Sequence, residues 1–233
     1  MVGTDEWFLL PVIWAIVPLA TLIMFSIVPV RKLNEETQSL PLKSLLKTKI
    51  LWLFMLLMIC GGAAEQAMAQ WASLFAEAAL GVSKTVGNLL GPCFFAITMG
   101  VSRGLYGKYS EKLSITKALF LCSIISICGY IMVSLIPNPY VALIGCGVIG
   151  LGVALFWPGV LSVAAKALPA GGTAMFAILA VCGDIGCSSG PQLAATVSDA
   201  LDGKLNIGLL TCIIFPIIIV ISMFFYIKKR KDI

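Results

Sequence analysis

Two carboxylic acids stand in otherwise apolar surroundings: Glu65 in ICGGAAEQAMAQWASLF and Asp184 in ILAVCGDIGCSSGPQLAA. A charge at hydrocarbon depth costs roughly 2.5 to 3.5 kcal/mol on insertion scales, so an acid there faces a cavity or a partner and suits reversible protonation. The bland alternative is a neutral acid hydrogen-bonded between helices, or an acid near the water boundary. Neighbouring polar residues share the spacing of a helix face. Taking about 100° per residue, Glu65, Gln66, Gln70, Ser73 and Glu77 project within one arc, and Asp184, Ser188, Ser189, Gln192 and Thr196 within another. Two one-sided polar stripes in apolar helices suit a water-accessible pathway for a solute or a proton, with interhelical hydrogen bonding as the alternative.

These stripes need long helices to carry them. Of 233 residues, 60% are apolar and 12% charged, and the mean hydropathy is +1.03, so the bilayer is the expected solvent. Seven apolar runs, near residues 6–30, 50–76, 85–107, 116–136, 140–165, 173–197 and 205–227, are each long enough to cross a hydrocarbon core. They are continuously apolar, as helices require, whereas barrel strands alternate. The expected fold is therefore an all-α integral membrane protein of about seven transmembrane helices. The first run follows Asp5-Glu6 rather than a basic segment and is too long for a signal peptide, so it reads as a retained span.

Of 16 Lys and Arg, all but Lys84 and Lys204 fall on one side if the N-terminus is outside and the C-terminus cytoplasmic. The net charge of +5 is then a topology signal, and no nucleic-acid partner is expected. There is no histidine, and the eight cysteines lie in the apolar runs without a C-x-x-C pair. No metal or other cofactor is expected, and the cysteines read as small packing residues.

The chain divides into a single helix (1–30), a polar cytoplasmic linker (31–49) with a helical Leu pattern near its end, a six-helix unit (50–227) and a basic cytoplasmic tail (228–233). The tight Pro137-Asn138-Pro139 turn splits the unit into two sets of three spans, and three spans each way make any repeat an inverted one. Small residues four apart (Ala142, Cys146, Gly150, Ala154; then Gly186, Gly190, Ala194) and the looser Gly100, Gly104, Gly107 are expected helix-packing faces. The first, fourth and seventh runs are the most uniformly apolar and are expected toward lipid. The third adds Asn88, Thr98 and Ser102, with Arg103 at its end either serving a loop or anchoring to phosphates. Trp71, Phe75, Phe156 and Trp157 fit either a cavity wall or the membrane interface.

The stretch GGAAEQAMAQWASLFAEAALGVSKTVGNLLGPCFFAITMGVSRGLYGKYSEK, followed by GLGVALFWPGVLSVAAKALPAGGTAMFAILAVCGDIGCSSGP, resembles bacterial transporters of the major facilitator superfamily, in the broad sugar-permease-like group. The resemblance covers about residues 50–227, with the first run fitting as the preceding helix. It implies a 3+3 inverted-repeat C-terminal bundle with the two acidic spans lining a central cavity, in an inner (plasma) membrane carrier that works by alternating access. It also implies a small solute, sugar-like or another small organic molecule, with protons as the coupling partner. The family's loop motif, Gly-x-x-x-Asp-(Arg/Lys)-x-Gly-(Arg/Lys)-(Arg/Lys), is matched at Gly104 and Lys112, with Lys108 in the Asp position and Glu111 in the second Gly position. Because the family's solute path lies between two bundles, the resemblance implies a partial chain that acts with a missing N-terminal bundle or a second copy, or else is an inactive fragment.

A seven-helix receptor or sensor is the rival reading. A retinal protein needs a buried lysine, and the last run has none from Ile207 to Ile227. An intramembrane enzyme has no Ser-His or paired-aspartate constellation to support it.

Overall fold

A computed structural model of the chain describes residues 9–28, 40–81 and 83–231. The chain forms two compact units, Met1–Gln38 and Ser39–Ile233. The first contains α1 (Leu9–Ile27), a 19-residue apolar helix. Its two hydroxyls are satisfied internally, Thr21 donating to the Val17 carbonyl at 2.9 Å and Ser26 to that of Leu22 at 2.8 Å. Neither hydroxyl of α1 thus needs water, which suits a lipid-facing helix.

The second unit begins with α2 (Leu42–Leu46), which realises the Leu pattern at the end of the linker. Leu45 is fully buried, the Leu40 amide donates to the Ala170 carbonyl at 2.9 Å, and the Trp52 indole donates to the Leu46 carbonyl at 2.9 Å. The linker's end is thus docked rather than free, while residues 31–39 of the expected linker lie outside the described residues.

The rest is helical: α3 (Lys49–Leu80), α4 (Lys84–Asn88), α5 (Phe94–Tyr109), α6 (Ile115–Leu135), α7 (Pro139–Val153), α8 (Phe156–Ala167), α9 (Gly172–Ala200), α10 (Leu205–Thr211) and α11 (Ile214–Lys231). Grouped by continuity, they make six membrane-length apolar spans among the described residues: 49–77, 84–109, 115–135, 139–167, 169–200 and 205–228. With α1 as a seventh apolar helix, the expected runs are matched to within a few residues. The chain is an all-helical membrane bundle.

Spans begin and end for local reasons. Asn138 caps α7, its Oδ1 accepting from the amides of Tyr140 (3.0 Å) and Val141 (3.3 Å), with Pro139 in the first helical turn. Gly81 closes α3 in the left-handed region (φ +62°). Prolines break three spans, 205–228 among them at Cys212-Ile213, before Pro216. A π turn, Leu89–Cys93, surrounds Pro92 between α4 and α5, and the 139–167 span breaks at Ala154-Leu155, before Pro158.

α3 is the central helix, with Leu51, Phe54, Ala64, Ala67, Met68 and Ala72 all fully buried. It runs parallel to α9 in near backbone contact. A Cβ on Gly186 would overlap the Ile59 carbonyl oxygen, one on Gly190 the Ala63 carbonyl, and one on Gly62 the Gly183 carbonyl. Ala194, the third member of that expected face, instead meets α10, its carbonyl oxygen standing where a Cβ on Gly208 would go. The Cys146/Gly150 face packs as expected against the other half of the bundle: Gly150 lies on Phe95 and Thr98 of α5, and the Cys146 thiol reaches the Gly91 carbonyl at 3.8 Å.

Two expectations are overturned. Gly100, Gly104 and Gly107 are not a packing face within this unit, since a Cβ at any of them would meet nothing within 4 Å. They lie on a side of α5 that no other described helix of the unit covers. Nor is the fourth run a lipid-facing helix. Half of its most apolar window is buried, Ser123, Ser126 and Tyr130 completely, whereas only a third of the window is buried in the polar span 169–200. The physical reason is that small hydroxyls on α6 permit close packing against α7, where a Cβ on Gly152 would collide with the Ser126 backbone. Low polarity therefore did not make α6 wholly peripheral: it turns Leu121, Ile124, Ile131 and Leu135 outward and buries its other side.

These contrasts give a stability prediction. Gly186→Val should destabilise the protein by about 1 to 3 kcal/mol or more through overpacking, while Gly100→Ala should remain within about 0.5 kcal/mol of the parent. Thermal unfolding midpoints in detergent measure both, and equal shifts would contradict the close α3–α9 contact.

Candidate functional site: a polar groove on α9 beside two intramembrane acids

Glu65 is the 17th of 29 residues in span 49–77, and Asp184 the 16th of 32 in span 169–200, so both acids sit near the middle of their helices. The parallel α3–α9 contact sets them about one helical turn or slightly more apart along the pair, since Gly62 meets Gly183 and Cys187 while Ala63 meets Gly190. Gly62, one turn before Glu65, abuts Gly183, the residue before Asp184. Between the acids stands Cys187, whose backbone and thiol face Gly62 and on whose thiol both carboxyl groups act electrostatically.

The two acids have different surroundings. Asp184 is exposed and, with Val181, Ile185, Ser188, Ser189 and Gln192, lines an open groove of about 530 Å³. Along it the hydroxyls are held by their own helix: Ser188 donates to the Asp184 carbonyl (3.1 Å), Ser189 to that of Gly186 (3.2 Å) and Thr196 to that of Gln192 (2.8 Å). The Gln192 amide donates to the Thr196 hydroxyl at 3.4 Å. This arrangement leaves hydroxyl and carbonyl lone pairs and a carboxylate directed outward, a surface that accepts hydrogen bonds from a polar solute or water.

Glu65 is half-buried, and its Oε2 is shielded from solvent with no hydrogen-bond partner. On its inner side the preceding carbonyl, Ala64, accepts a 2.6 Å hydrogen bond from the fully buried Tyr130 hydroxyl. The charge of Arg103, on α5, acts on the Glu65 carboxyl. Arg103 is itself positioned by a proline. Pro158 has no N–H to give the Ala154 carbonyl four residues earlier, and Arg103 Nε donates to that carbonyl at 2.9 Å. Ser102 does the same for Leu151 at 2.9 Å. Adjacent residues of α5 thus satisfy the break between α7 and α8, and Arg103 has an internal partner that the sequence did not suggest.

Other expected site residues are more scattered. Gln66 is half-buried and Gln70 exposed on α3, and the Ser73 hydroxyl lies 3.5 Å from a Glu77 carboxylate oxygen. None of the three lines the α9 groove, so the α3 stripe is carried past its side rather than into its wall. Thr98 bonds to the Phe94 and Phe95 carbonyls within its own helix. The Asn88 side chain lies outside the described residues. Gly104, Lys108 and Lys112 are exposed at the basic end of α5 and in the turn after it, with Lys108 5.7 Å from the Tyr109 ring centre. Trp157 packs its ring on Gly183, beside Asp184, and Trp71 donates from α3 to the Pro191 carbonyl of α9 at 3.2 Å. Both indoles therefore belong to the bundle wall. Phe156 is fully buried against Gly61. Sequence reasoning passed over Cys187, treating it with the other cysteines; its position three residues after Asp184, on the same side of the helix, was the available signal.

A sequence profile described as Major Facilitator Superfamily matches residues 6–191, which is 186 of the 233 residues. The chain belongs to that superfamily. It is thus a multi-pass membrane protein of a transporter family, and the α3–α9 pair with its polar groove is a superfamily member's bundle. No curated protein and no solved structure matches it.

The Arg103 contact is open to test. Arg103→Ala leaves the buried Ala154 carbonyl without its donor, a loss expected to cost about 1 to 3 kcal/mol. Pro158→Ala in the same chain supplies a backbone N–H and should restore part of that stability, read as the unfolding midpoint of the double variant. A double variant no more stable than Arg103→Ala alone would contradict this role for Arg103.

Proposed function

We propose that the chain carries the solute-contacting half of a secondary active transporter for a small organic solute, sugar-like in its hydrogen bonding. The observation that carries this reading is the exposed stripe of Asp184, Ser188, Ser189 and Gln192 at mid-span on α9. Such groups are not stable against acyl chains, so they face water, a solute or a second bundle. The open side of α5 at Gly100, Gly104 and Gly107 supports the same cover, a second six-helix bundle or another copy of the chain. Alternating access then consists of rocking between the two bundles around this groove.

In this reading Asp184, Ser188 and Gln192 bind the solute's hydroxyls, with Gln66, Gln70 and Ser73 on the adjoining α3, beside the groove rather than in its wall. Glu65 is the proton-carrying group. Its Oε2, which has no hydrogen-bond partner, is the atom that would carry the proton. Arg103, Gly104, Lys108 and Lys112 form the gating end. The distribution of Lys and Arg supports an outside N-terminus and a cytoplasmic C-terminus in a bacterial inner membrane.

Two measurements test this. Ser188→Cys and Gln192→Cys should react with a membrane-impermeant thiol reagent in intact membrane vesicles, above the background of the native cysteines, whereas Ile221→Cys on lipid-facing α11 should not. Loss of that contrast would remove the water-lined groove. In the same vesicles, with radiolabelled hexose as the probe, Asp184→Asn should lower uptake by about tenfold or more, the equivalent of about 1.4 kcal/mol of binding. Glu65→Gln should make uptake indifferent to an imposed pH gradient, and unchanged pH dependence would end the coupling assignment.

A further inference from the structure

A second cavity lies at the end of the bundle remote from the basic loops, where the α6–α7 and α9–α10 turns meet the outer part of α3. It is an open pocket of about 490 Å³. Its polar lining is made of Ser134, Asn138, Lys204 and Asn206, and among the described residues no carboxylate lines it. Each of these residues has donor capacity to spare. Asn138 uses its carbonyl oxygen to cap α7, which leaves its amide N–H groups. Asn206 spends one N–H on the Ser134 carbonyl at 3.3 Å. Ser134 is 7% exposed and its hydroxyl oxygen, like that of Ser126 deeper in α6, has no hydrogen-bond partner, but Ser134 lines the pocket. A helical serine ordinarily returns its hydroxyl to the carbonyl four residues back, as Ser123 does here at 2.7 Å. An unused buried hydroxyl calls for an acceptor supplied from elsewhere.

Lys204 adds the charge. It is exposed, is the only charged residue lining the cavity among the described residues, and is one of the two cations, with Lys84, that the sequence places away from the basic end. A lining of donors plus one cation matches a singly charged acceptor group. The remaining walls, including Phe75, Val133 and Leu205, are apolar, and the cavity opens beside Leu135 and Tyr140, which are 59% and 72% exposed. An anionic head with an apolar tail fits both parts, whereas a free inorganic anion would leave the apolar walls unused.

The geometry points to a binding site for the phosphate group of an anionic phospholipid, held by Lys204, Ser134, Asn138 and Asn206 where the bundle meets the headgroup layer. The bound lipid ties the α6–α7 turn to the α9–α10 turn and stabilises this end of the bundle. The assignment does not depend on the transport reading, and its test uses no solute.

The purified full chain in a non-ionic detergent is titrated with dihexanoylphosphatidylglycerol, with dihexanoylphosphatidylcholine and with inorganic phosphate, following the unfolding midpoint. The phosphatidylglycerol should raise the midpoint saturably, at concentrations at least about fivefold lower than the other two, as one lysine near a charged headgroup implies. Lys204→Gln should weaken that response by about fivefold and Lys204→Arg should keep it. Ser134→Ala, which probes the buried end of the same site, should also weaken it and serves if Lys204→Gln does not fold. Equal response to phosphatidylcholine, or an unchanged response in both Lys204→Gln and Ser134→Ala, overturns the site. Inorganic phosphate acting as strongly as phosphatidylglycerol overturns the lipid and leaves an anion site.

Discussion

The arrangement depends on the backbone-to-backbone approach of α3 and α9. Lipid offers no hydrophobic drive for helices to associate, so their contact rests on packing at short range, and only small residues allow two helix backbones this close. Gly62, Gly183, Gly186 and Gly190 remove the side chains that would hold the helices apart. Because the helices run parallel there, their mid-span acids follow one another along the same contact, with Cys187 between them. The same contact turns the opposite face of α9 outward, where the groove forms. Packing and polarity on α9 are therefore two faces of one helix, one fixed by glycine and the other by hydroxyl, amide and carboxylate.

A second constraint operates between α5 and the broken span 139–167. Pro158 removes a helix hydrogen bond in a medium that supplies no water to replace it. Ser102 and Arg103 provide donors for the Leu151 and Ala154 carbonyls, and this contact fixes the guanidinium whose charge acts on Glu65. A helix break and an electrostatic partner for an acid are thus linked through one side chain. Tyr130 holds the other side, through the Ala64 carbonyl. The Glu65 Oε2 is the part of the site that no described protein group occupies.

Much of this was legible from spacing. The period that put Gly186 and Gly190 on one face and Asp184, Ser188 and Gln192 on another is a property of the α-helix alone, and the chain follows it. The Asn138 turn was equally local. What spacing could not supply was which face meets which neighbour. Gly100, Gly104 and Gly107 have the period of a contact face, yet no described helix of the unit lies against them, because partner choice is set by the whole bundle. α6 was misjudged for a related reason. Serine and glycine barely alter the hydropathy of a run but let α6 sink against α7. The link from Arg103 to Ala154 required knowing that residues about 50 apart in sequence are neighbours, and no periodicity contains that.

The π turn at Leu89–Cys93 works as a phase shift. It holds one residue more than an α-helical turn would, and it lies where Gly91 presses on the Ala72 carbonyl and Gly87 on Glu77. One residue corresponds to about 100° of rotation about the helix axis. The short piece before the turn and the long piece after it can therefore each present the face its own neighbours require: Gly87 to α3, and Phe94, Thr98 and Ser102 to α7. A continuous α-helix through the same residues would satisfy only one of these two sets of contacts. The span is accordingly two independently indexed helices sharing a membrane crossing, and the residue count between Gly87 and Phe94 is as much a part of the fold as the identity of any residue in it.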